Sequence, residues 1–309
     1  MKIARVFTTG VERLGDRQID LTSPASGAPR DLVVITGPPG CGKTALLDIL
    51  VAAKETAAPY GARLPWTPRA ALGEAAAKIQ IDWVLSPDEI ALFPGEPRRT
   101  LEVIYDAQPA YPPENDAGLI ALLQRFDEAP DTGKVEYFHA ERRLSGGLRM
   151  VSGVRSERAL RLEANDRKYA GIEAFLIDLH LGVDDRPGLR DRFQEAFGAL
   201  CPRKRWAGIS RAAGSPQAVF EGPRGERLGL AELSHSEKQA LLFVATFLRV
   251  GLSNSVVLID VPELYLRSEE VVPFVRALAG LGENNQLIVA SGSHELIQSV
   301  EPGAVVRLD

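Results

Sequence analysis

The sequence predicts an α/β fold: a mixed sheet core with an antiparallel β-subdomain and an inserted helical lobe. Three observations predict it. Leu32-Val33-Val34-Ile35-Thr36 is a short, continuous, β-branched run, the pattern of a strand buried on both faces. Gly37-Pro38-Pro39-Gly40-Cys41-Gly42-Lys43-Thr44 follows it and opens into Ala45 and a stretch (ALLDILVAA) with the apolar density of a packed helix. More than two hundred residues later, Val256-Val257-Leu258-Ile259-Asp260 is a second buried-strand run, ending in a carboxylate.

Strand, glycine-rich loop and helix in that order form a phosphate cradle. The glycines allow a tight turn whose backbone N–H groups converge on anionic oxygens, and the helix N-terminus adds partial positive charge. Gly37, Pro38, Gly40, Cys41, Gly42 and Ala45 belong to this cradle. Lys43 is expected to reach the β- and γ-phosphates, and the Thr44 hydroxyl with the Asp260 carboxylate to hold the metal. The expected ligands are a nucleoside triphosphate and its Mg²⁺. The bland alternative is a structural Gly/Pro turn. Cys41 reads as a small filler within the loop rather than a reactive thiol.

Composition bounds the remainder. At 309 residues and 45% hydrophobic content the chain can bury a full core as one large domain with an inserted lobe. A net charge of −5 argues against wholesale coating of nucleic acid while permitting local basic patches. Two distant cysteines, Cys41 and Cys201, make neither a disulfide framework nor a zinc site. No apolar run approaches the roughly 18 residues of a membrane span, and the opening residues do not read as a signal peptide. A soluble, cytoplasmic chain with no membrane partner is expected.

Along the chain, Lys2 to Phe7, Arg17 to Leu21 and Lys78 to Trp83 read as strands. Residues from Ala70 read as helical before that last strand begins. The stretches 59–68 and 94–116 are rich in loop residues, 117–128 reads as helix, and Lys134 to Phe138 as strand. From Ser156 to Leu200 the pattern is helical, with Leu160, Leu162, Ile172, Phe175, Leu176, Leu179, Phe193 and Phe197 as core candidates. Gly222-Pro223-Arg224-Gly225 between two short strands signals a hairpin. The domain reading is a core with its β-subdomain over 1–155 and 206–309, and a helical lobe over 156–205.

Leu233-Ser234-His235-Ser236-Glu237-Lys238-Gln239, followed by the apolar ALLFVATFLRV, resembles the signature loop and helix of ABC-type ATPases. Pro262-Glu263-Leu264-Tyr265-Leu266 is similar to a worn form of the segment after that family's acidic strand, and Gln286 to Ala290 to the strand before its switch histidine. Lys134 to Arg143 resembles the strand-plus-arginine segment of the same proteins. The order is that of RecF/SMC-like and OLD-like ATPase heads and spans most of the chain. The resemblance implies a P-loop NTPase of ABC ATPase type; the long interval between loop and acidic strand also fits that class better than AAA+ proteins. It further implies that two heads face each other, with Ser234, Ser236 and Glu237 acting in trans on the partner's nucleotide.

Three positions depart from that pattern. Val261 stands where hydrolysing relatives carry the glutamate that orients water. Gly292 stands at the switch histidine, and Ser236 replaces the signature glycine. Val261 can neither accept a proton nor hold a water, so binding is expected to survive and hydrolysis to be weak or absent. Glu263 and His294 are the candidate substitutes. Glu263 otherwise reads as structural and His294 as a surface or packing histidine. Arg13 and Arg142 are candidate nucleotide-side or relay residues, Arg13 on the looser match.

Eight basic residues against three acidic ones lie between Arg142 and Lys168, and Arg203-Lys204-Arg205 adds a second cluster beside Trp206. Either is a candidate nucleic-acid contact or a solvated helix face. The expected function is an ATP-dependent scaffold that forms a homodimer or higher homo-oligomer. It would serve an effector protein partner, by analogy a nuclease or toxin in bacterial antiphage defence or DNA maintenance. The rivals are an active ATPase cycling on DNA, a transporter ATP-binding subunit and a phosphotransferase kinase. DNA-stimulated turnover, a membrane-protein partner and phosphate transfer to a small acceptor would respectively identify them.

Overall fold

Long apolar runs and alternating runs separate into different sheets. The computed structural model describes all residues except 65–66, 107–114, 127–131, 145–156, 185 and 212–214. Its first sheet is antiparallel, with order β2-β1-β4-β5, built from β1 (Lys2–Val11), β2 (Gly15–Asp20), β4 (Ala77–Val84) and β5 (Arg98–Tyr105). A five-stranded sheet has order β12-β3-β11-β10-β6, from β3 (Leu32–Thr36), β6 (Val135–Phe138), β10 (Val256–Asp260), β11 (Gln286–Ala290) and β12 (Val305–Arg307). All its pairings are parallel. The runs VVLID and QLIVA are buried at every position, which explains why they do not alternate.

The helix after the glycine-rich loop, α1 (Lys43–Ala57), packs against the parallel sheet and reaches β5. Two short helices, α2 (Pro87–Leu92) and α3 (Ala117–Gln124), flank β5. Residues 157–200 carry α4 (Glu157–Leu160), α5 (Ile172–Leu181) and α6 (Leu189–Leu200). All eight core candidates named there are buried. Phe175, Phe193 and Phe197 share one apolar cluster with Val257 and Ile259 of the parallel sheet and with Phe243 and Phe247 of α7 (His235–Val250). A third, antiparallel sheet of β7 (Arg205–Ser210), β8 (Gln217–Glu221) and β9 (Arg227–Gly229) lies against α5. Its β8–β9 hairpin pairs Glu221 with Arg227 across the Gly-Pro-Arg-Gly turn. α8 (Ser268–Ala279) and α9 (His294–Ser299) follow β10 and β11. The 155/156 boundary of the domain reading, and residues 127–128 of the helix read over 117–128, lie outside the described residues.

Two sequence expectations are corrected. Within the stretch read as loop-rich, Arg98–Tyr105 is a strand on the edge of the first sheet, pairing Leu101 with Ile81 and Val103 with Ile79. Its burial alternates residue by residue, a period-two signal hidden by the flanking prolines. The Ala-rich segment from Ala70 is not helical. Ala70 bridges Val11, Ala71 N–H donates to Gly10 O, and Gly73 turns at φ 93°. Tertiary pairing with β1 satisfies this backbone, overriding alanine's helix preference.

The first basic run is also corrected as a surface patch. Arg142, Arg161 and Lys168 are buried. Lys168 Nζ lies 3.4 Å, and Arg161 Nη1 3.7 Å, from the fully buried Glu136 carboxylate. Arg143 and Arg167 remain exposed, while Arg149 and Arg155 lie outside the described residues. In the second cluster Lys204 pairs with Glu226 and Arg205 with Glu221, leaving Arg203 exposed. No helix among the described residues is long and apolar enough to cross a membrane.

Candidate nucleotide site

Two parallel strands and one helix converge at the C-terminal edge of the five-stranded sheet. β3 delivers Gly37 into the loop at φ 152°, where a Cβ would lie 2.1 Å from Leu308 O and 2.6 Å from Cys41 Sγ. Only glycine fits. Gly42, at φ 99°, caps α1 without a side-chain hydrogen bond, leaving the first N–H groups of the helix directed into the loop. A Cβ on Gly42 would meet Leu14 at 2.7 Å, so the β1–β2 turn packs directly on the cradle. Arg13, exposed at φ 74°, sits in that turn with its carbonyl 3.5 Å from the same point. Pro38 and Gly40 form the exposed rim of the loop, Cys41 its half-buried wall, and Ala45 is buried in the first turn of α1.

Lys43 folds over this loop. Its Nζ donates to Gly37 O at 2.9 Å and Pro38 O at 3.1 Å, and stands 3.7 Å from Cys41 Sγ. Thr44 Oγ1 donates to Asp260 Oδ2 at 2.8 Å, joining the start of α1 to the end of β10. A hydroxyl and a carboxylate oxygen side by side at a phosphate cradle are the hard oxygen donors Mg²⁺ takes alongside phosphate and water. The donor set fits that ion. When bound, it would be held by Thr44 and Asp260 and would neutralise phosphate charge.

Asp48 is a carboxylate that the sequence reading did not single out. It lies one turn beyond Thr44 on α1, and i,i+4 spacing places both on one helix face, a signal the sequence already held. Its Oδ1 accepts from Tyr137 Oη at 3.1 Å. Burial pushes the Asp48 carboxyl up to about 6; the Tyr137 hydrogen bond opposes this, and the Asp260 charge reinforces it. Burial also raises the carboxyl of Asp260, against the hydrogen bond from Thr44 and the positive charge of Arg142.

A raised acid pKa means that the folded state holds more proton than the unfolded chain between pH about 4 and 6, so this group's contribution to stability falls as pH rises through that window. Without nucleotide, Asp48→Asn is expected to exceed wild type by about 1–2 kcal/mol at pH 7, discounted for partial exposure. The difference should vanish near pH 4 in urea unfolding. A difference independent of pH would show that the carboxyl is not perturbed.

Arg142 leaves the turn after β6 and is 0% exposed. Nη1 donates to Asp260 O at 2.6 Å and His139 O at 3.0 Å, Nη2 to Val261 O at 2.8 Å, and Nε to Gln239 Oε1 at 2.8 Å. These acceptors are all neutral, and burial lowers the guanidinium to about 10. Strand carbonyls alternate in direction, so two successive ones address one guanidinium only where the chain leaves the strand. It leaves at Val261, a β-branched residue at φ 50° in the left-handed region.

Glu263 accepts from Ser291 Oγ and Gly292 N, each at 2.9 Å, and so ties the loop after β10 to the loop after β11. Both of its carboxylate oxygens are engaged. A Cβ on Gly292 would lie 3.8 Å from Glu263 Oε1, ordinary contact, so a side chain is sterically tolerated there. His294 is exposed on the first turn of α9, its Nε2 2.8 Å from Gln298 Nε2.

Ser234 and Glu237 form a capping box on α7. Ser234 N donates to Glu237 Oε2 at 2.8 Å and Glu237 N to Ser234 Oγ at 3.3 Å. Ser236 Oγ lies 3.3 Å from Ser234 Oγ. The motif therefore has a local structural duty of its own. The structure thus joins Thr44, Asp260 and Arg142 by hydrogen bonds, with Lys43 folded over the adjoining loop and Arg13 on its rim. Ser234, Ser236, Glu237 and His294 have no hydrogen bond to that group among those described.

No family model matches the sequence, and no curated protein is detectably similar to it. Solved structures are similar. An SMC head bound to the C-terminal winged-helix domain of ScpA aligns over 97% of this chain and 93% of its own, with TM-score 0.56 and 11% identity. The SMC head domain from Thermotoga maritima aligns over the same shares, with TM-score 0.50 and 12% identity. An SMC head with an extended coiled coil, bound to the C-terminal domain of ScpA and derived from Pyrococcus furiosus, covers 99% and 93%, with TM-score 0.56 and 10% identity. The chain has the P-loop, ABC-type ATPase fold of SMC heads.

Proposed function

We propose that the chain is an ABC-type ATPase head that binds ATP with Mg²⁺ and uses it as an assembly ligand rather than as fuel. The observation that carries this reading is the convergence of Lys43, Thr44 and Asp260 on one glycine-lined loop, with Thr44 Oγ1 2.8 Å from Asp260 Oδ2. The residue after Asp260 is apolar, and the nearby Glu263 is held at both oxygens by Ser291 and Gly292. Neither is free to orient water, so turnover is slow while binding persists. A ligand bound tightly by one assembly and weakly by the other shifts the population between them without being consumed. That assembly is a homodimer or higher homo-oligomer serving an effector protein. Two of the similar SMC heads are bound to a domain of ScpA, and an analogous protein partner is expected here. An antiphage defence or DNA-maintenance setting follows only by that analogy.

The test is ATP turnover beside sizing with and without ATP–Mg²⁺, for wild type and Val261→Glu. The expected result is that wild type binds and assembles without turnover, and that Val261→Glu gains hydrolysis. Steady wild-type hydrolysis would overturn the reading and direct attention to another carboxylate.

A further inference from the structure

We propose that the Arg142–Gln239 pair is the positioning device through which the nucleotide at Asp260 is reported to the N-terminus of α7. The inference rests on the nucleotide-binding reading above and adds a route to it. Gln239 and Phe243 are i,i+4 on α7 and both face the same guanidinium. Gln239 Oε1 accepts from Arg142 Nε at 2.8 Å, Gln239 Nε2 donates to Arg142 O at 3.5 Å, and the Phe243 ring centroid lies 4.9 Å from Arg142 Cζ. On its other side that guanidinium holds Asp260 O and Val261 O. One fully buried side chain therefore grips the end of the strand that presents the metal carboxylate and the flank of a sixteen-residue helix.

Val261, a β-branched residue at φ 50°, makes a strained exit from the strand. Arg142 Nη2 on Val261 O and Val261 N–H on Ala290 O at 2.9 Å hold it in place. A cation and phosphates at Asp260 and Thr44 change the field acting on the guanidinium and the forces on this strained exit. Any adjustment of Arg142 must be followed by Gln239, because a buried amide and a buried guanidinium are costly to separate. α7 is a rigid element whose capping serine, Ser234, lies five residues before Gln239, so the adjustment arrives at residues 234–237. Among the described residues, the side-chain hydrogen bonds of Gln239 go to Arg142 and not to a residue of the phosphate loop.

Hydrogen exchange at the amides of residues 235–238, with and without ATP–Mg²⁺, tests this. Wild type, Gln239→Leu and Gln239→Glu are compared at a concentration where sizing shows single copies, with the nucleotide Kd measured for each. ATP–Mg²⁺ is expected to change exchange there by about fivefold or more in wild type, the lower range of measured coupling between sites. Gln239→Leu should bind nucleotide within about twofold of wild type yet show no change, while Gln239→Glu, which restores an acceptor for Arg142 Nε, recovers it. If Gln239→Leu does not fold, Phe243→Leu removes the other α7 contact and should reduce the response.

An undiminished response in Gln239→Leu overturns the relay. So does a flat response in nucleotide-bound wild type, or a Kd weakened about tenfold in Gln239→Leu, since the glutamine would then be supporting the site itself. Failure of wild type to bind nucleotide overturns the underlying reading instead.

Discussion

Lys43→Ala is expected to lose about half or more of the stabilisation that ATP–Mg²⁺ confers. At a ligand concentration 100 times the wild-type Kd, binding should add about 2.7 kcal/mol to the unfolding free energy. Hydrogen bonds between charged groups are worth about 1.5–3 kcal/mol, so loss of the Nζ contacts weakens binding about 10- to 150-fold. At the same ligand concentration the variant then gains only about 0.3–1.4 kcal/mol. Its stability without nucleotide should change little, because the side chain is half-exposed and its partners, Gly37 O and Pro38 O, border the open loop. Urea unfolding with and without ATP–Mg²⁺ reads both quantities. Equal stabilisation of variant and wild type would mean that the triphosphate does not lie over this loop.

The second large effect is on the fold itself. Arg142→Lys keeps the charge but replaces a planar fork by a point donor, which cannot address Asp260 O, Val261 O, His139 O and Gln239 Oε1 together. Two orphaned buried acceptors at about 1–2 kcal/mol each place the cost near 2–4 kcal/mol. Arg142→Met should cost a similar amount despite removing a buried charge. The buried Asp260 carboxylate, already raised by burial, would lose the positive charge that opposes that rise, and the same carbonyls would be left unmet. Chemical denaturation of the nucleotide-free protein measures this. A change within about 0.5 kcal/mol, the range of an ordinary surface substitution, would show that the guanidinium contacts are dispensable.

How much of this was legible beforehand depended on how far along the chain each interaction reaches. The phosphate cradle was legible because eight consecutive residues carry its geometry, and strand and helix patterns on either side supply the context. The hairpin at residues 222–225 was legible for the same reason, since its turn chemistry is local. Asp260 stood out because it terminates a wholly apolar run. Asp48 was readable from helical spacing to Thr44, yet its significance depends on Tyr137, which comes from another strand. β5 carried its alternation in plain view, but Pro94, Pro97 and the residues beyond Tyr105 biased the stretch toward loop.

Charge was the least legible property. The run from Arg142 to Lys168 has the composition of an anion-binding face, yet three of its basic side chains point inward, toward Glu136 and the end of β10. Sequence spacing alone does not say that β6 pairs with β10 in parallel, aligning Val256 with Val135 and Ile259 with Phe138. That register brings the turn carrying Arg142 alongside Asp260 and Val261. Glu263 was equally ambiguous as a carboxylate three residues past Asp260, until the neighbouring loop supplied Ser291 and Gly292 as its partners.

The sequence by itself determined the phosphate loop, the acidic strand end, the helix behind Ser234 and the apolar residue at position 261. Each is set by residues adjacent in the chain, whose backbone and side-chain preferences act without reference to the rest of the molecule. Only the tertiary structure decided which buried charges meet, which carboxylate is engaged as a clamp, and that Val261 takes a left-handed conformation under Arg142. Those outcomes depend on strand order, register and burial. Buried polar groups must find partners wherever packing brings them, often more than a hundred residues away in the sequence.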